Sequence, residues 1–434
     1  MEFVALAIFL ATYGAVSLRN VTARSASIPI WLVLLLGAAA MVASGSIGIQ
    51  EAYSSINLQV IVFLFSMFTL VTALDISGVL EAFATRMILR ARKAEDVIFL
   101  TFLGFAVLSA FLMNDTLALM GTPIMISLAK KMNIRVKPLL LILAFSITIG
   151  SVATPMGNPQ NLLVALVSGM SAPVIKFAYF LALPTVINLG ITFLLFRFLY
   201  RKEFTKARSG FVELTALEAG IKEKSARDRR LGRVAVVIVA ITMAGIVLAN
   251  AFQAVGLSQP FGISEISLFG AAVLLAVSGR SRDIVRSLDW GILVLFASLF
   301  VLMQAVSLNG IIAFITDYLP PINTANPRGA ILAITISAVL LSQVLSNVPM
   351  VALYLPLMRS LNFGPGDAYA WAALAGGSTI AGNLTLLGAA SNLIIVEEAE
   401  RRGHRLSFLE FLKVGMVVTL LNVAVLYAYL YLIV

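Results

Sequence analysis

The chain has 434 residues, 60% of them hydrophobic and only 12% charged, too little charge to keep a soluble protein of this length dispersed. It has no cysteine and a single histidine, His404, in a charged loop, which leaves disulfides, thiolate metal sites, cysteine nucleophiles and Ser-His triads without support. The formal net charge of +10 is read as basic cytoplasmic loops, not as a nucleic-acid surface, because Lys and Arg gather on that side of membrane proteins.

Apolar segments of roughly the 20 residues that cross a bilayer recur along the chain. They run over 2–18, 28–44, 55–74, 95–131, 138–169, 173–199, 231–250, 264–278, 289–308, 328–360, 368–396 and 406–434. The first begins Met1-Glu2 and is followed by Arg19 and Arg24, the charge order of an uncleaved first helix with its N-terminus outside. Segments 95–131 and 328–360 are too long for one helix and too short for two crossings and a turn. They break at Asn114-Asp115-Thr116 and at Ser346-Asn347-Val348-Pro349, and each reads as a re-entrant hairpin. Segment 138–169 is interrupted by Thr154-Pro155-Met156-Gly157-Asn158-Pro159. Its prolines would stop a continuous helix, so it reads as a spanning helix with an unwound middle.

Loop charge tests this arrangement. With both hairpins returning to their own side, all but Lys176, Arg328 and Arg359 of the 31 basic residues fall on the inside, or just inside the last span at Lys413. Making only the first hairpin a full crossing would put Lys130, Lys131, Arg135 and Lys137 outside and invert everything after them. The expectation is ten crossings and two hairpins, both termini outside, in the plasma membrane of a prokaryote.

The two halves repeat. Gly78 pairs with Gly310; Ser109, Asn114 and Pro123 with Ser342, Asn347 and Pro356; Thr154, Gly157, Asn161 and Leu162 with Thr385, Gly388, Asn392 and Leu393. Every pair lies 231 to 233 positions apart. An odd number of crossings per half inverts the second half relative to the first, a transporter design. The fold class is therefore all-α and polytopic: two inverted repeats of five transmembrane helices, each with one re-entrant hairpin and one broken helix. The repeats are placed at 1–199 and 231–434, with 200–230 as a cytoplasmic linker.

Helix breaks inside a bilayer persist only where something polar uses the freed groups. Substrate contacts are accordingly expected at Asn114, Thr116, Thr154, Gly157, Asn158, Asn161, Ser346, Asn347, Thr385, Gly388 and Asn392. Buried amides can equally tie hairpin backbones together, and the glycines can serve tight turns alone. Asp115 is the one acid placed deep in the membrane; its repeat partner is Val348. A carboxylate there is costly and by default functional. It is expected to couple H⁺ or Na⁺, with Na⁺ held near Asn114, Asp115 and Asn158, although it could instead cap the second hairpin helix. No other cofactor is expected. No Lys or Arg falls in the proposed core, which mildly favours a neutral, singly charged or cation-escorted substrate. A membrane-embedded enzyme lacks a nucleophile–base pair.

The Asn114-Asp115-Thr116 tip, Thr122-Pro123-Ile124 and the run Thr154 to Leu162 resemble the ion transporter superfamily, in its arsenical-permease and NhaD-type sodium–proton antiporter branch. The citrate transporter-like and divalent-anion symporter branches share the layout, but Val348 stands where the latter would have Thr. The resemblance implies a secondary transporter working by an elevator mechanism. It further implies a homodimer in the lipid bilayer and a small inorganic or carboxylate anion as cargo. Arsenite or antimonite efflux is the sharpest guess, and a Na⁺/H⁺ antiporter or a citrate or dicarboxylate carrier the alternative.

Overall fold

A computed structural model describes residues 2–21, 29–80, 82–83, 86, 94–203, 229–257, 261–312 and 322–434. Most of the linker, and the basic residues Arg24, Arg90, Arg92 and Lys93 used in the charge test, lie outside the described residues.

The first half runs α1 (Glu2–Val21), α2 (Ile30–Ala43), α3 (Ile49–Ser55), α4 (Leu58–Ile76), α5 (Ala94–Ser109), α6 (Asn114–Lys131), α7 (Val136–Gly150), α8 (Pro159–Val167), α9 (Pro173–Phe177) and α10 (Leu183–Leu199). The second runs α11 (Arg229–Ala254), α12 (Ile263–Ser278), α13 (Ser281–Arg286), α14 (Trp290–Leu308), α15 (Pro327–Leu345), α16 (Asn347–Ser360), α17 (Ala368–Ala381), α18 (Ala390–Arg401) and α19 (Phe408–Ile433). Apart from α9, which a π-helical turn over Ala178–Ala182 joins to α10, each helix of one half has its counterpart in the other. Even short α3 and α13 correspond. No strand occurs among the described residues.

Seven described helices are long and apolar enough to cross a membrane, among them α4, α11, α14, α15 and α19, and the apolar stretches in α1, α2 and α12 are shorter. Length and apolarity admit α15 on the same terms as a crossing helix. Its antiparallel return through α16 makes it a hairpin arm, as α5 and α6 make the other.

Packing between the halves follows a two-fold exchange. Helix α2 lies on α14 and α4 on α12; α8 lies on α16 and α6 on α18. Helices α10 and α19, themselves counterparts, pack on each other. These reciprocal contacts are what inverted repeats produce when folded together. Matched prolines, Pro123 and Pro356, sit inside α6 and α16.

The broken helices are local consequences of sequence. After α7 the chain tightens to a 3₁₀ turn over Ser151–Ala153, and Thr154 and Asn158 are extended. Pro159 then restarts the helix at its first position, where a missing N–H costs nothing. After α17 the break runs from Gly382 to Ala389, with its 3₁₀ turn at Leu386–Gly388. The breaks begin a few residues ahead of the prolines that predicted the first one, because freed backbone groups are taken up by side chains of the hairpins.

Candidate functional site

At the first break the expected residues gather into one hydrogen-bonded unit. Ser109 donates to the Ile147 carbonyl (2.5 Å). Asn114, oriented by its partners, turns its amide nitrogen to the carbonyls of Ile147 and Gly157 (3.2 and 3.1 Å) and accepts from the Ser151 hydroxyl (3.1 Å). Asn158 donates to Ser151 Oγ (3.0 Å) and Thr379 Oγ1 (3.2 Å) and accepts from the Asn161 N–H (2.8 Å). Asn161 donates to the Ser151 and Thr154 carbonyls (3.0 and 3.2 Å) and accepts from Thr379 (2.9 Å). Thr154 donates to the Ala110 carbonyl and accepts from the Gly157 N–H. A side chain at Gly157 would meet the Ser109 carbonyl at 2.6 Å, so glycine is needed for the tip to reach the break. Ser151 and Thr379 carry no signal in the sequence, whereas Gln160 lies in the run from Thr154 to Leu162 and Ser109 is one of the repeat pairs.

The second break repeats part of this. Thr385 donates to Gln343 Oε1 (2.8 Å) and accepts from the Leu387 N–H. Gln343 donates to the Ala381 carbonyl (3.0 Å). Asn392 donates to the carbonyls of Gly382 (2.6 Å) and Thr385 (3.2 Å), as Asn161 does in the first half. Gly388 again has no room for a Cβ, with the Ala381 carbonyl 2.6 Å away. The tips themselves differ. Between α5 and α6 stand four residues with Met113 at φ −61°; between α15 and α16 stands Ser346 alone, at φ +67°. A non-glycine residue there is strained by about 1–3 kcal/mol.

Asp115 and Thr116 face elsewhere. Although Asn114 points into the first break, its two neighbours line a cavity of about 280 Å³. That cavity is walled by Phe68, Thr72 and Asp75 of α4, by Ser287, Asp289 and Ile292 at the start of α14, and by Ile394, Glu397, Glu398 and Arg401 of α18. The grouping of Asn114, Asp115 and Asn158 around one Na⁺ is thus divided: Asn114 and Asn158 share Ser151, and Asp115 lies with four other carboxylates. Asp289 lines the same cavity as Asp115. Glu398 is balanced by Arg401 (3.7 Å) and Arg402. The five acids approach from four elements, α4, α6, the start of α14 and α18, and among the described residues no three of them converge as a metal ion would require. Asp75 and Asp289 read as span ends in the sequence, and Glu397 and Glu398 carried no motif; only the fold brings them to Asp115.

The chain matches the family model described as citrate transporter over residues 21–376. It is 30% identical to an uncharacterized transporter of Mycobacterium tuberculosis (strain H37Rv), over 100% of this chain and 98% of that one. It is 26% identical to a silicon efflux transporter of Oryza sativa subsp. japonica, over 90% of each. Among solved structures, the Alcanivorax borkumensis YdaH transporter superposes with a TM-score of 0.58 at 13% identity, covering 99% of this chain and 97% of that one, a likeness of fold. With two inverted repeats, paired hairpins and matched helix breaks, the chain is a multi-pass secondary transporter and belongs to the citrate transporter family within the ion transporter superfamily.

Proposed function

We propose that this protein carries a small hydroxylated solute, uncharged or at most singly charged, coupled to H⁺ or Na⁺ bound at Asp115. The observation that carries this reading is the charge of the Asp115 cavity: five carboxylates line it against Arg401, with Arg402 the one further cation bound to them among the described residues, at Glu398. A low-dielectric cleft lined by one sign of charge concentrates counter-ions. It attracts a coupling cation and repels a multiply charged anion such as citrate. The silicon efflux relative fits the same class, because silicic acid is an uncharged hydroxy acid at neutral pH. Arsenous and antimonous acids are too, so metalloid efflux remains the first cargo to test.

In the topology read from loop charge, with both termini outside, the mouth of this cavity faces the cytoplasmic side of the plasma membrane. In the elevator reading, the hairpins, the broken helices, α10 and α19 slide as a unit against α1, α2, α4, α11, α12 and α14, in a homodimer. Asp115 rides on the moving unit and Asp289 on the fixed one. Two ionised carboxylates repel, whereas one that has taken up a cation does not. Cation binding therefore favours the arrangement in which they meet.

The test uses proteoliposomes with an imposed pH or Na⁺ gradient. Asp115→Asn is expected to lower gradient-driven accumulation of arsenous acid by ~100-fold or more, about 2.7 kcal/mol. Accumulation at the wild-type level would remove Asp115 from coupling. Exchange of Na⁺ for H⁺ with no solute present would favour a cation antiporter instead.

A further inference from the structure

The topology read from loop charge leaves three of the 31 basic residues on the outer side, Lys176, Arg328 and Arg359. Lys176 and Arg359 stand in the last turns of α9 and α16, where a helix dipole favours a cation. Arg359 also reaches the Val167 carbonyl at the end of α8. Arg328 differs. It is exposed in the first turn of α15, the wrong end of the dipole for a cation. Among the described residues no carboxylate pairs with it. Its guanidinium lies over the ring of Tyr431 of α19, 4.4 Å from the centroid.

The repeat shows what this contact has replaced. Arg328 stands 233 positions after Glu95, the offset of Ser342 from Ser109, and Tyr431 stands 234 after Arg197, the offset between the ends of α10 and α19. In the first half Glu95 of α5 and Arg197 of α10 pair at 3.5 Å. In the second half the acid has become a base and the base a tyrosine. An ion pair on the inner side thus corresponds, on the outer side, to a guanidinium held on an aromatic ring. The ring's quadrupole attracts the cation but does not neutralise it.

Below Arg328 the surface is apolar. Leu332, Ile336, Leu340 and Val344 follow it at every fourth position of α15, 38%, 43%, 60% and 52% exposed, and form one winding ridge. Around its head, Tyr427 and Tyr431 pair with centroids 5.8 Å apart, and Tyr429 donates to the Tyr179 carbonyl (2.9 Å). Tyrosines gather at the headgroup level of a bilayer. We infer that Arg328 on its Tyr431 platform, with the α15 ridge beneath it, binds an anionic phospholipid of the outer leaflet. The guanidinium presents parallel N–H donors to the phosphate, and an acyl chain lies along the ridge. Free phosphate would leave the ridge unused. A second copy of the chain packed ridge to ridge would bring another arginine and no acid. Because α15 is an arm of the second hairpin, the lipid is held on the element that carries the second tip. The inference is independent of the solute and of Asp115.

The test is thermal stabilisation of the purified full-length protein in neutral detergent, titrated with phosphatidylglycerol, phosphatidylcholine or inorganic phosphate. Phosphatidylglycerol is expected to raise the melting temperature further than phosphatidylcholine at equal mole fraction, and phosphate not at all. Arg328→Gln should weaken the phosphatidylglycerol effect ~5-fold or more while leaving the lipid-free melting temperature unchanged. Tyr431→Leu should weaken it ~2-fold. Arg359→Gln, which removes an outer cation already bonded to Val167, should leave it intact, and binding by the basic inner loops is common to all these variants. Equal effects of the two lipids on the wild type, or an undiminished phosphatidylglycerol effect in Arg328→Gln, would overturn the assignment. Stabilisation by phosphate that Arg328→Gln abolishes would make this a free-anion site instead. A changed oligomeric state in Arg328→Gln with no dependence on lipid would give the ridge to contact between copies.

Discussion

The two hairpin tips occupy equivalent positions in inverted repeats, yet they have been made into different things. The first places Asn114 in a saturated network and sends Asp115 and Thr116 into an acidic cavity. The second has Val348 and Pro349 at the positions of Asp115 and Thr116, holds Ser346 in a strained conformation, and surrounds itself with polar atoms that lack partners. The asymmetry extends outward. The positions equivalent to Asp75, Asp289, Glu397, Glu398 and Arg401 are Ser307, Asn57, Leu166, Val167 and Met170, none of them charged. There Tyr13 of α1 donates to the Pro349 carbonyl (3.3 Å), joining α1 to the second tip. Duplication supplies two tips of related geometry, and divergence has lined the surroundings of one with charge and left the equivalent positions of the other uncharged.

This contrast can be broken at several points. The largest effect on stability is expected where the network is complete. Asn161→Ala strips partners from Thr379 and from two break carbonyls, and should cost about 2–3 kcal/mol. Asn392→Ala, whose side-chain oxygen has no partner to lose, should cost about half as much. Equal losses in chemical denaturation would mean that the halves are alike. Next comes the cavity. Asp289→Asn should weaken the apparent affinity for the coupling cation ~10-fold, about 1.4 kcal/mol, whereas Asn57→Asp at the equivalent place should not strengthen it. A flux titration against H⁺ or Na⁺ reads both.

Ser346→Gly is expected to stabilise the protein by about 1 kcal/mol through release of the positive φ, and Met113→Gly to stabilise nothing. The smallest effect belongs to Tyr13→Phe, about 0.5–1 kcal/mol for one hydrogen bond. It has a sharper readout, because the chain contains no native cysteine. Cysteine placed at Thr116 should react with a maleimide from the acidic face, and cysteine placed at Val348 should react appreciably only after Tyr13→Phe.

Much of this was legible in the sequence, and the limits are instructive. Apolar runs, prolines and the spacing of asparagines predict the broken helices and hairpins, because each is a local consequence of backbone chemistry. The repeat is written in residue pairs such as Asn114/Asn347 and Thr154/Thr385. The acidic cavity was hidden because its carboxylates come from four helix ends far apart in the chain, none with a motif. The split between Asn114 and Asp115 was hidden too. Adjacent residues at a helix start point in different directions, and Asn114 is turned inward by Ser109, Ser151 and the carbonyls of Ile147 and Gly157, a set that only the fold assembles. Spacing also marks Asn161 and Asn392 as equals; that Thr379 donates to the Asn161 side-chain oxygen while its equivalent Thr148 makes no such bond to Asn392 is visible only in the fold.

Because the charge lies around the first tip, cation coupling at Asp115 should be separable from solute contact at the second tip, where the sequence reading expects Ser346 and Asn347. The most direct measurement is made on Asp115→Asn and Asn347→Ala side by side, reading arsenous-acid-dependent thermal stabilisation and pH- or Na⁺-gradient-driven accumulation in proteoliposomes for each. Asp115→Asn should still be stabilised by the solute but no longer accumulate it, while Asn347→Ala should lose both. Loss of stabilisation in Asp115→Asn together with its retention in Asn347→Ala would mean that solute and cation share the first tip.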